Sequence, residues 1–95
     1  MQTLSVGPSV QNASSLFEFI ADELKIGQSK FDGWDQFYDI FFNYLDGSGQ
    51  VIQLQFSTNL AQHDWDKFLG YMQDLNEDLR GQAEVVISGS NKPPQ

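Results

Sequence analysis

The sequence predicts an α/β domain: a three-stranded, mainly parallel sheet packed by three main helices, in the order β-α-α-β-α-β. Three observations predict it. Short extended runs at 3–6, 51–56 and 83–88 are separated by segments whose apolar residues recur at helical spacing. Helices between strands imply crossovers, and crossovers imply parallel pairing with a right-handed turn. A chain of 95 residues, 40% hydrophobic and with eight Phe, holds one modest core and is not disordered.

Thr3-Leu4-Ser5-Val6 is a short extended run stopped by Gly7-Pro8, and forms the first strand. Ser15-Leu16-Phe17-Glu18 has the capping-box spacing, with Ser15 as cap and Glu18 reaching back. Leu16, Phe17, Ile20 and Leu24 follow at helical spacing, and Gly27 ends this first helix. The polar link Gln28-Ser29-Lys30 leads to a second helix, capped by Asp32 and running to about Leu45, where Asp46-Gly47-Ser48-Gly49 breaks it. Residues 51–56, VIQLQF, alternate as a second strand. Asp64 or Asp66 starts a third helix with the apolar stripe Trp65, Phe68, Leu69, Met72, Leu75 and Leu79. Arg80 sits at its last turn and Gly81 stops it. Residues 83–88, AEVVIS, form the third strand. Residues 1–88 are thus one domain, and 89–95, GSNKPPQ, a flexible tail with nothing to bury.

The charge balance sorts the partners. Thirteen acids against five bases give a net charge of −8. Such a surface repels nucleic-acid phosphates and anionic membranes and attracts basic proteins at long range; the same acidity also serves solubility alone. The stretch MQTLSVGPSV lacks the basic start and apolar run of a signal peptide, and there is no apolar run of about 18 residues. A cytoplasmic protein is expected. With no cysteine, disulfides and thiolate metal sites are excluded.

No enzyme is expected. Nucleophile motifs, phosphate-cradling glycine loops and metal signatures are absent from the sequence. His63, the one histidine, sits in a polar segment before the third helix. Asp35 and Asp39 have the i,i+4 spacing of a metal-sharing or acid/base pair, but such a site needs further ligands and an open coordination position. No cofactor or metal is therefore predicted. Trp34, Trp65 and Met72 lie on apolar stripes and read as core.

The second helix is the informative one. A helix advances about 100° per residue. With Asp35 at zero, Asp46 falls at about +20°, Asp39 at about +40° and Phe42 at about −20°, while Trp34, Phe37, Phe41 and Leu45 centre near −115°. Tyr38 lies between, at about −60°. An acidic strip thus points to solvent with Tyr38 and Phe42 on its rim, and no base within the helix offsets it. Either this is a protein-binding face, with aromatic anchors amid carboxylates, or Phe42 lies under the second strand or a loop and the acids are merely solvated.

The segment WDQFYDIF, with Asp35 and Asp39 flanking Phe37-Tyr38, resembles the second-helix signature of the barstar family, intracellular inhibitors of secreted ribonucleases of the barnase type. The order of elements over roughly residues 2 to 88 is similar too, including Glu23-Leu24 near the end of the first helix and Val86-Ile87-Ser88 in the last strand. The resemblance implies a monomeric inhibitor, acting without cofactor, that blocks the active site of a basic ribonuclease or nuclease toxin. It implies that Asp39 enters the nuclease's phosphate pocket in place of substrate. Asp35 would be a second acidic contact, with Tyr38, Phe42 and Tyr44 as aromatic neighbours. An acid of the third helix matches best at Glu77, within one turn; Asp74, Asp78 and Glu84 read as a solvated edge. Three features depart from the family pattern. Ser29-Lys30-Phe31-Asp32-Gly33 stands where a Tyr-Tyr-Gly segment is usual, Tyr38 and Tyr44 stand where Trp is, and cysteines are absent. The alternatives are an acidic nucleic-acid mimic that binds another basic protein, and a passive structural or adaptor domain.

Overall fold

The computed structural model describes residues 2–27 and 30–91. Within them the chain runs β1 (Gln2–Val6), α1 (Ala13–Glu23), α2 (Trp34–Leu45), β2 (Val51–Ser57), α3 (Gln62–Asp78) and β3 (Glu84–Ser90). The strands form one sheet in the order β1-β2-β3 with both pairings parallel, the α/β architecture that the sequence pattern predicts. Leu4 pairs with Leu54, and Leu54 with Ile87.

Both crossovers step across the sheet in the same direction. Right-handed connections taken in one direction deliver their helices to the same face. The burial pattern agrees. Leu4, Val6, Ile52, Leu54, Phe56 and Val85 are buried, while Thr3, Ser5, Gln55 and Val86 on the alternate face are exposed. The core lies between the sheet and the helices, around the fully buried Leu16, Ile20, Phe37, Phe41, Phe68 and Leu75. Phe17 of α1 stacks on Phe37 of α2 at 4.5 Å, and Trp34 meets Phe17 edge-on at 4.9 Å. These contacts join the two consecutive helices over the sheet.

Several element ends differ from expectation, each for a local reason. Asn12, not Ser15, caps α1: its Oδ1 accepts from the Ser15 N–H at 2.9 Å, while Ser15 Oγ accepts from the Asn12 N–H at 3.2 Å. The capping box is real but sits three residues earlier, which leaves Glu18 exposed and adds most of a turn. The helix also ends before Gly27. Lys25 adopts φ 57°, its N–H bonds the Asp22 carbonyl, and the Ile26 N–H bonds the Ala21 carbonyl. This is a Schellman closure built on lysine, with half-buried Ile26 packed on the core as its apolar clasp.

Gly33 rather than Asp32 caps α2, at φ 100°, a conformation that a side chain would strain. The Asp32 N–H is satisfied instead by the Gln36 side chain. Helix α3 starts at Gln62, earlier than Asp64 or Asp66, and Gln62 Nε2 donates to Asp66 Oδ1 at 2.9 Å along its first turn. It ends at Asp78, so Arg80 lies just beyond it. Leu69 is 37% exposed and leaves the buried stripe, which consists of Phe68, Met72, Leu75 and Leu79 with Trp65 half-buried beside Phe56. Strand β3 continues through Ser90, and Asn91 is buried, donating to the Leu60 carbonyl and to Gln62 Oε1. Residues 89–91 therefore belong to the folded domain and not to the expected tail; residues 92–95 lie outside the described residues, as do Gln28 and Ser29 of the link before α2.

Candidate protein-binding site

The acidic strip of α2 meets α3 through aromatic rings. Trp34 stacks on Tyr71 of α3, with centroids 5.5 Å apart and planes at 11°. Tyr71 in turn lies 6.0 Å from Tyr38. Trp34 also touches Phe17 and Phe68, so this aromatic contact is anchored in the core.

Two hydrogen bonds cross the contact in opposite senses. Tyr71 Oη on α3 donates to Asp35 Oδ1 on α2 at 2.8 Å. Tyr38 Oη on α2 donates to Asp78 Oδ2 on α3. Burial, these bonds and the surrounding charge raise both phenols. Tyr38 is pushed up to about 12, first by burial, then by its bond to Asp78 and by the charges of Asp78, Asp74 and Asp39. Tyr71 is raised first by its bond to Asp35, then by burial and by the charges of Asp35 and Asp74. Four carboxylates from two helices therefore surround one tyrosine pair: Asp35 and Asp39 on α2, Asp74 and Asp78 on α3. All four residues are exposed.

The predicted site residues sort as follows. Asp35, Asp39, Tyr38 and Phe42 lie together. Phe42 does not stand out into solvent; it is half-buried and stacks against Tyr38 at 6.2 Å. Asp46 is exposed as the C-cap of α2: its N–H still bonds the Phe42 carbonyl and its φ of −59° is helical, so its side chain stays on the wheel at the end of the strip, and only its ψ of 122° turns the following chain away. Tyr44 lies about 180° round α2 from Asp35, half-buried against the core, and the structure does not bring it to the acidic face. Glu77 also stands apart: it lines a hollow with Asn76, Arg80, Gly81 and Glu84 on another side of α3. The acids that α3 does place beside α2 are Asp74 and Asp78.

Tyr71, Asp74 and Asp78 are thus what sequence reasoning missed. Their i, i+3, i+7 spacing marks one face of α3, and that was the available signal. Beside them, Lys67, Tyr71 and Asp74 line a shallow hollow of about 370 Å³. A separate groove of about 460 Å³ runs along α1, floored by Val10, Phe19 and Ile26 and rimmed by Glu18 and Asp22. Of the two serines that line it, Ser9 and Ser15, the second is engaged in the α1 cap. His63 is exposed in the first turn of α3. Among the described residues, no group of three or more His, Asp or Glu is placed to hold a metal ion, and no helix is long and apolar enough to cross a membrane.

The fold and this face define a small α/β domain with a two-helix acidic, aromatic surface. Comparison with protein-family models, curated proteins and solved structures found no match for the chain.

Proposed function

We propose that the chain is a protein inhibitor that binds a basic, barnase-type ribonuclease and covers its active site with the α2–α3 face. Asp39 stands in for a substrate phosphate against the cationic groups of the nuclease. One observation carries this reading: Asp39 is exposed beside Asp35, Asp74 and Asp78, around half-buried Tyr38, Tyr71 and Phe42, on a chain of net charge −8. The aromatic rings supply area to desolvate, and the carboxylates supply orientation and on-rate. The resemblance of WDQFYDIF to the barstar family supplies the nuclease as target. On this reading the protein is cytoplasmic, catalyses nothing and acts as a monomer without cofactor. Its partner is a secreted-type ribonuclease or nuclease toxin, and it binds neither nucleic acid nor membrane.

The test is a titration of a purified barnase-type ribonuclease with the wild-type chain and with Asp39→Ala. Inhibition by the wild type, lost in a folded Asp39→Ala variant, supports the proposal. Four carboxylates spread over two helices also suit a mimic of the nucleic-acid backbone. Binding to a basic nucleic-acid protein with indifference to Asp39 would favour that mimic. A pull-down at low salt that yields no basic protein would leave an adaptor role.

A further inference from the structure

We infer that Tyr71 is a positioning residue for the acidic face: its hydroxyl holds the Asp35 carboxylate in the orientation that a cationic side chain of a partner meets. The inference rests on the reading of this face as a partner surface. Exposed aspartates ordinarily sample several rotamers, and a partner that needs one of them must order it on binding. Asp35 is exposed, yet Tyr71 Oη reaches its Oδ1 at 2.8 Å. The donor is itself fixed. Its ring stacks on Trp34 at 5.5 Å, and Trp34 is wedged against Phe17 and Phe68 in the core. Rigidity therefore passes from the core through two stacked rings to one surface carboxylate.

The donor's chemistry matters as much as its place. A lysine or arginine in the same position would also hold Asp35, but would cancel its charge. A phenol donates a hydrogen bond and stays neutral, so the negative field of the face is kept. An ordinary phenol is already a neutral donor at neutral pH, and both tyrosines are raised further, Tyr38 first by burial and Tyr71 first by its bond to Asp35. The second bond, from Tyr38 to Asp78, has its donor on the opposite helix. Together the two ties fix α2 and α3 against each other, and with them the relative placement of the acids each helix carries.

The experiment uses Tyr71→Phe, which keeps the ring and its stack and removes only the hydroxyl, with Asp35→Asn as its partner in a double-mutant cycle. Binding is measured to a barnase-type ribonuclease and, separately, to an oligoarginine peptide; thermal unfolding verifies that each variant folds. Tyr71→Phe is expected to weaken binding by about threefold to tenfold, the cost of ordering one side chain. The salt dependence of association should stay that of the wild type, because net charge is unchanged. In the Asp35→Asn background the same substitution should have little further effect. A folded Tyr71→Phe chain that binds as tightly as wild type overturns the inference, as does an equal loss in both Asp35 backgrounds. If the wild type binds the peptide but not the ribonuclease, the ribonuclease proposal falls and the tie is judged on the peptide. If it binds neither, the face is no cationic-partner surface and the inference falls with it.

Discussion

The side-chain amide of Asn76 on α3 makes both available hydrogen bonds to the backbone of Val85 on β3. Its Nδ2 donates to the Val85 carbonyl at 2.9 Å, and its Oδ1 accepts from the Val85 N–H at 2.8 Å. Strand β3 is an edge of the sheet, and the amide occupies the place of a further strand at that position. Asn76→Ala leaves a partly buried donor and acceptor unpaired. It is expected to destabilise the fold by about 1–3 kcal/mol, read as a lower urea midpoint at unchanged slope. Faster amide exchange in β3 should accompany it.

A second constraint lies further along the same strand. Gly89 pairs with Phe56 at φ 86°, and a Cβ there would fall 2.0 Å from the Phe56 carbonyl oxygen. Backbone against backbone cannot yield cheaply. Gly89→Ala is expected to cost about 2 kcal/mol or more, or to detach β3 beyond Ser88. Thermal unfolding measures the first outcome and exchange at residues 88–90 the second.

Alkaline pH should loosen the contact between α2 and α3. The folded Tyr38 value of about 12 lies above the ordinary value of 10, so the folded chain holds this proton more tightly than the unfolded chain. The associated stability is fully present below pH 10 and is lost as pH rises through 12. Unfolding midpoints followed across that window should fall. In Asp78→Asn the Tyr38 phenolate should appear at lower pH than in wild type. It should not return fully to the ordinary value, because burial is the larger cause.

The cap of α1 separates two sequence patterns of the same kind. Asn12→Ala should cost about 1 kcal/mol, whereas Glu18→Ala, at an exposed position, should stay within about 0.5 kcal/mol. Denaturant unfolding of the two variants settles which box holds the helix.

That pair also explains what could be read from the residues and what could not. The order of strands and helices was legible because each element carries its own period, as in Ile52-Gln53-Leu54-Gln55-Phe56 against Phe68, Met72, Leu75 and Leu79. Element ends were less legible. Asn12/Ser15 and Ser15/Glu18 have equal spacing, and a lysine at φ 57° carries no sequence mark. The α2 half of the candidate site followed from a helical wheel. The α3 half did not: Asp74 and Asp78 read as solvated acids and the family resemblance selects Glu77, whereas the docking of α3 on α2 places Asp74 and Asp78 beside Tyr38. Tyr71 acquires its meaning only from Trp34 and Asp35 on the other helix.

The most direct test of the central claim is the association rate of a barnase-type ribonuclease with wild type and with Asp39→Asn, over a series of salt concentrations. Asp39→Asn keeps the shape of the side chain and removes its charge. Wild-type association is expected to be rapid and to slow as salt rises. A folded Asp39→Asn chain is expected to lose about tenfold or more in affinity. Binding by Asp39→Asn equal to wild type, or a wild-type rate indifferent to salt, would contradict the claim.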